Sequence, residues 1–242
     1  MWAPWQAKRP VPTTPPSGLE QGGSGRASWG QWAAGFIATP QPGMVFTAAS
    51  AKIQIPSPPD NITSPHAWVA IWIGIDIVPQ SGAQLMQAGL SMYATTAGWN
   101  AIPWWINEPQ SPPTEPHQFT IGLHPGNVVR VLVTETGKTS WEFALDDLST
   151  GRVASTLCTG CMGVGSSAAW LVEDPSIGGT YAPFANPGPV RFLSAKVSSD
   201  KGPMKPIDDL PVREVVRRGM NRGSMQAPES ERPGRTGAFI VA

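Results

Sequence analysis

The chain has 242 residues, 40% of them apolar, and its 17 basic and 17 acidic side chains leave no formal net charge. That length holds one large all-β domain or two small ones, and 26 Gly with 27 Pro leave few uninterrupted helix-forming stretches. Residues 1–30 carry three basic side chains to one acidic and residues 198–242 eight to six, so of the seventeen of each sign the middle keeps six basic and ten acidic. An acidic body argues against a nucleic-acid partner, and an apolar run of only residues 67–75 is too short to cross a bilayer, so no membrane partner is expected.

Residues 1–30, dominated by Pro, Gly, Ser and Thr, have no hydrophobic period and are expected to form an extended arm without a core. The opening "MWAPWQAKRPVPTTPP" lacks the apolar run of a signal peptide, which leaves the localisation open. Residues 31–197 then fall into short runs of period two separated by Pro, Gly, Asn and Asp. Strands are predicted at 51–55, 67–78, 83–93, 119–123, 128–135, 140–147, 168–174 and 189–197. At least eight strands in one body imply an all-β fold of two packed antiparallel sheets.

In "AWVAIWIGIDIV" (67–78), Val69, Ile71, Ile73, Ile75 and Ile77 alternate with Trp68, Ala70, Trp72, Gly74 and Asp76. The aliphatic set reads as core; the mixed set of Trp, Gly and a carboxylate has the make-up of a groove. Past Ser198, "DDLPVREVVRRGMNRG" has acidic residues before Pro211, apolar Val212, Val215 and Val216, and Gly219 as a stop. These cues predict one short amphipathic helix over about 209–219 in the tail of residues 198–242. Cys158 and Cys161 form a lone CxxC without the further ligands of a zinc site, and read as ordinary loop thiols or a local disulfide. No metal or other cofactor is called for.

Two strands carry polar groups that a core would not choose. In "AQLMQAGLSMY" the amide Gln87 shares a face with Leu85, Gly89 and Ser91; in "SSAAWLVEDPS" Glu173 shares one with Ala169 and Leu171. Small neighbours leave room above both. A carboxylate on a strand that reads as buried needs pairing, hydrogen bonding or protonation.

Four short stretches in order, "WIGID" (72–76), "MQAG" (86–89), "AWLVED" (169–174) and "PFANPGPVRF" (183–192), resemble motifs of the glutamic peptidases of the G1 type, the eqolisins. The resemblance runs from about Trp29 to Val197 and implies a curved, concanavalin-like β-sandwich with its site on the concave face. It implies a catalytic pair of Gln87 and Glu173, with Trp72, Asp76 and Trp105 lining the substrate groove. Glu173 would take a proton from the attacking water while the Gln87 amide binds the oxyanion, in acid-range cleavage of a polypeptide without cofactor. This chain departs from the family at "AIPWWIN" (101–107), where Ile102 and Trp104 stand in place of a Trp and a Glu, at Pro175 in place of an aromatic, and at Ala169 in place of a Glu.

A different class of function reads the same sandwich as a non-catalytic structural or decoration component of a virion or surface assembly. The arm and tail would then strap it to other protein chains, and residues 238–242, "AFIVA", would add a strand to a neighbour's sheet. A third reading, carbohydrate binding on an aromatic-lined face, rests on fold analogy alone.

Overall fold

The computed structural model describes residues 33–57, 67–78, 82–95, 98–108, 116–173, 176–177, 180–181, 187–216 and 239–241. In chain order its strands are β1 (Ala33–Ala38), β2 (Phe46–Gln54), β3 (Trp68–Ile75), β4 (Leu85–Thr95), β5 (Gly98–Glu108), β6 (His117–Gln118), β7 (Val128–Gly137) and β8 (Ser140–Asp147). Then follow β9 (Arg152–Thr159), β10 (Ala168–Glu173), β11 (Ser176–Ile177), β12 (Thr180–Tyr181), β13 (Val190–Ser199), β14 (Gly202–Pro206), β15 (Val212–Val216) and β16 (Phe239–Val241). Among the described residues the sole helical element is a 3-10 turn at Ile207–Asp209. No helix there is long and apolar enough to cross a membrane.

Two antiparallel sheets result. The first runs β15-β1-β10-β3-β4-β5-β6; the second runs β14-β13-β2-β7-β8-β9, with β16 also paired to β13, and β11 and β12 pair separately. Between the sheets lies the main core. Val69, Ile71, Ile73, Ile75, Met86, Leu90, Trp170 and Val172 of the first sheet pack with Ile53, Val129, Val131, Val133, Trp141, Phe143 and Phe192 of the second. Period two is the cause, since β7 buries Val129, Val131 and Val133 while turning Arg130 to solvent.

The alternation in 67–78 holds through Ile75 and then fails. Asp76 takes a positive φ of 66°, which turns the chain and sends Ile77 into a second apolar cluster on the opposite face. The predicted strand 119–123 is reduced to an isolated bridge between Leu123 and Ala101. Sequence reasoning passes over β1, β5 and β9 as strands.

The tail helix expected over about 209–219 is not what forms: residues 212–216 are the strand β15, and 217–219 lie outside the described residues. Leu210, before Pro211, is extended with φ −122° and ψ 156°, as proline's ring imposes on its predecessor. Three β-branched valines follow, and the open edge of β1 accepts them in register, Gly35 opposite Val215. The apolar terminus also pairs within its own chain, Phe239 opposite Phe192 and Val241 opposite Val190.

Candidate active site

The face of the first sheet turned away from the core carries a second apolar cluster, with Ala70 and Trp72 of β3, Leu85 of β4, Trp104 and Ile106 of β5, and Ala169 and Leu171 of β10. Gln87 sits in this face, buried to 6% exposure. In register it lies between Gly74 on β3 and Ile106 on β5, and Gly74 in turn lies beside Ala169 on β10. The strip beside the amide therefore has almost no side chain. Glycine is required here by the closeness of β3 and β4: a Cβ on Gly89 would meet the Ile71 carbonyl oxygen and stand 2.6 Å from the Trp72 Cβ, and one on Gly74 would stand 2.8 Å from the Met86 carbonyl oxygen and 3.1 Å from the Trp72 ring. The spacing of "WIGID" and "MQAG" thus lets an indole lie down on the sheet. Trp104 is fixed on the same face by donating its indole N–H to Ser91 Oγ at 2.9 Å.

The Gln87 amide donates from Nε2 to Glu108 Oε2 at 2.9 Å. Glu108 is the last residue of β5, opposite Leu85, and shares the face of Gln87. Burial pushes its carboxyl up from 4.5 to about 7, partly opposed by the hydrogen bond from Gln87, which favours the charged form. Sequence reasoning misses this residue. Period two along "GWNAIPWWINE", counted as a strand, puts Trp104, Ile106 and Glu108 on one side and would have found it.

Glu173, at the end of β10, lies on the same face as Gln87 but in a different row. It stands opposite Ala70, which stands opposite Ser91, whereas Gln87 stands opposite Gly74. The two are two strands apart and four residues apart along the strands. At ~3.3 Å per residue and ~4.8 Å per strand, that is roughly 13 Å along the sheet and 10 Å across it.

Asp76 is held by its own chain. Its carboxylate accepts the N–H groups of Val164 at 2.6 Å, Gly165 at 3.1 Å and Ser166 at 2.7 Å, and the Ser166 hydroxyl at 2.9 Å. It anchors the crossing from β9 to β10, together with Gln84, whose Oε1 accepts the Met162 N–H at 2.9 Å. Trp105, expected in the groove, is on the core side of β5, because it pairs with Ala88 rather than with a residue of the Gln87 face. It stacks on Phe143 at 4.8 Å and on His117 at 4.2 Å. Trp104 takes the outer position.

Cys158 and Cys161 form a disulfide at the end of β9. Among the described residues no three His, Cys, Asp or Glu side chains converge as metal ligands.

The two-sheet sandwich thus carries on one outer face a buried amide hydrogen-bonded to a carboxyl group. The model of the Peptidase A4 family matches residues 31–219, and the chain belongs to this family, the G1 glutamic peptidases. It is a peptide hydrolase of the glutamic type.

Solved structures agree in fold. Scytalido-glutamic peptidase with a peptide-based transition-state analog superposes with a TM-score of 0.66 at 22% identity, over 87% of this chain and 97% of that one. SCP-B, a member of the eqolisin family in complex with the tripeptide Ala-Ile-His, gives 0.63 at 21% identity, over 87% and 97%. Aspergilloglutamic peptidase from Aspergillus niger gives 0.54 at 18% identity, over 72% and 97%. No curated protein matches the chain.

Proposed function

We propose that this chain hydrolyses peptide bonds of extended or unfolded polypeptides at acid pH, with the Gln87 amide binding the developing oxyanion and Glu173 taking the proton of the attacking water. Membership of a glutamic peptidase family across residues 31–219 carries this reading. Two relatives of the same fold hold a peptide-based transition-state analog and a tripeptide, which supports a polypeptide as the substrate class. The bare strip of Gly74 and Ala169 beside Gln87 gives a substrate backbone access to the amide, and Trp72 and Trp104 supply apolar walls.

A carboxylate serves as base only while ionised, so Glu173 sets the acid limb of the profile, and the proton it takes from water is the one it passes to the departing amine. Both groups must act on one carbonyl. Their rows lie four residues apart in one hydrogen-bonded sheet, so the Glu173→Gln variant decides whether Glu173 or another carboxyl is the base.

Cleavage of a denatured protein from strongly acid to neutral pH tests the reading. Gln87→Ala removes an oxyanion donor and should lower kcat about a hundredfold or more, and Glu173→Gln, which keeps the shape but removes the base, should lower it at least as far. No cleavage by the unaltered chain at any pH would end the reading. Full activity of Glu173→Gln beside an inactive Gln87→Ala would move the base to another carboxyl.

A further inference from the structure

Within the peptidase reading above, we infer that Glu108 is the positioning residue of Gln87 and that the loss of its proton ends activity on the neutral side. The geometry has three parts. Glu108 Oε2 accepts one of the two hydrogens on Gln87 Nε2, at 2.9 Å. An amide nitrogen carries two donors, so fixing one against a carboxyl orients the plane and leaves the other to bind an oxyanion. The pair is anchored at both ends by adjacent strands, with Leu85 of β4 directly opposite Glu108.

Among the described residues little else on this face can set the charge at Gln87, and the Asp76 carboxylate, beyond the end of β3, is taken up by the N–H groups of residues 164–166. Its own row holds Ile106, Gly74, Ala169 and Ile37, with Arg213 of β15 opposite Ile37, four strands away. Tyr93 shares the face six residues further along β4, next to Trp68. Glu173 lies in the row of Ala70. His117 of β6 stacks on Trp105, on the other side of the sheet. Glu108 is therefore the titrating group in contact with the amide.

The direction of the effect follows. Burial raises the Glu108 carboxyl to about 7, so it is neutral through the acid range and charged above it. A neutral carboxyl accepts the amide hydrogen without opposing negative charge on a substrate oxygen. A carboxylate in the same place repels that charge across a few ångströms of poorly screened space, and the rate falls as pH rises through the transition.

The test uses the full chain, with Glu108→Gln and Glu108→Ala beside the wild type. Glu108→Gln keeps a carbonyl for the amide and cannot ionise, so the neutral-side fall in kcat should move to higher pH, leaving it about tenfold or more faster than wild type near pH 8. Glu108→Ala removes the partner, and kcat should fall about tenfold at acid pH with KM little changed, the glutamine variant restoring it there. A further readout needs no turnover: in 15N-labelled protein the side-chain NH2 signal of Gln87, identified by its loss in Gln87→Ala, should shift with a midpoint near 7 in wild type and stay still in Glu108→Gln.

An unchanged neutral limb in Glu108→Gln, abolished acid activity in that variant, or an NH2 signal that does not titrate would each overturn the inference. A chain that cleaves nothing but shows the titrating signal would instead end the peptidase reading while retaining the Gln87–Glu108 coupling.

Discussion

Substituting Glu108 by Gln should flatten the dependence of stability on pH. The folded carboxyl titrates at about 7 against 4.5 in its ordinary environment, so between those values the unfolded chain releases a proton that the folded one keeps. The fold holds the extra proton, and its stability is therefore full below 4.5, falls as pH rises through about 7, and is level above. At about 1.4 kcal/mol per pH unit the full loss is about 3.5 kcal/mol, of which roughly 2 to 3 kcal/mol falls between about pH 5 and about pH 8 once water reaching the partly exposed carboxyl is allowed for. For a chain of this size that is roughly 4–12 °C in Tm. Thermal unfolding of wild type and Glu108→Gln at about pH 5 and about pH 8 measures it, since every other titrating group contributes equally to both proteins and cancels in the difference. Equal drops in Tm for the two proteins would refute the reasoning, because burial of this carboxyl would then carry no linked proton.

Three further outcomes follow from the scaffold. Asp76→Ala strips one buried acceptor from three backbone N–H groups and a hydroxyl, and should cost about 3–5 kcal/mol in urea unfolding; a loss below about 1 kcal/mol would mean the 164–166 turn holds itself. Gly89→Ala has no room, its Cβ landing on the Ile71 carbonyl oxygen and 2.6 Å from the Trp72 Cβ, and should lower stability by about 3 kcal/mol, whereas an unchanged Tm would show that β3 and β4 part easily at this point. Cys158→Ser opens a bridge between residues only three apart in sequence and should cost about 2 kcal/mol on chain entropy, matched by reduction of the wild type; no effect of either would show the bridge to be idle.

The fold is legible wherever one face is apolar and the other is not. Run 140–147 can be read because the large apolar residues Trp141, Phe143 and Leu145 alternate with Ser140, Glu142, Ala144 and Asp146, which are polar or small. Strand β5 cannot, because "GWNAIPWWINE" has Trp on both faces: Trp104 packs outward and Trp105 inward, and a proline sits between the strand's start and this pair. Alternation alone cannot choose a side when both are aromatic. The same blindness hides Glu108 and assigns Trp105 to the groove. Asp76 defeats parity differently, since a positive φ reverses which way the following residue points. In the tail, the spacing of Val212, Val215 and Val216 fits a helix, and only the unfilled edge of β1, which no local pattern reveals, decides for a strand.

The order in which the first sheet is strung sets a schedule for the chain's synthesis. β1, at residues 33–38, lies between β10 and β15, and its partners are residues 168–173 and 212–216. An emerging ribosomal product therefore carries β1 unpaired until residues 168–173 have been made. During that interval the flank of β3 that later receives β10 is also bare, and it belongs to an apolar strand that is buried on both faces once complete. Such an exposed edge invites pairing with another nascent copy. A chain released between residues 108 and 168 would hold β3, β4 and β5 with that flank uncovered, a product fit for aggregation rather than for slow maturation.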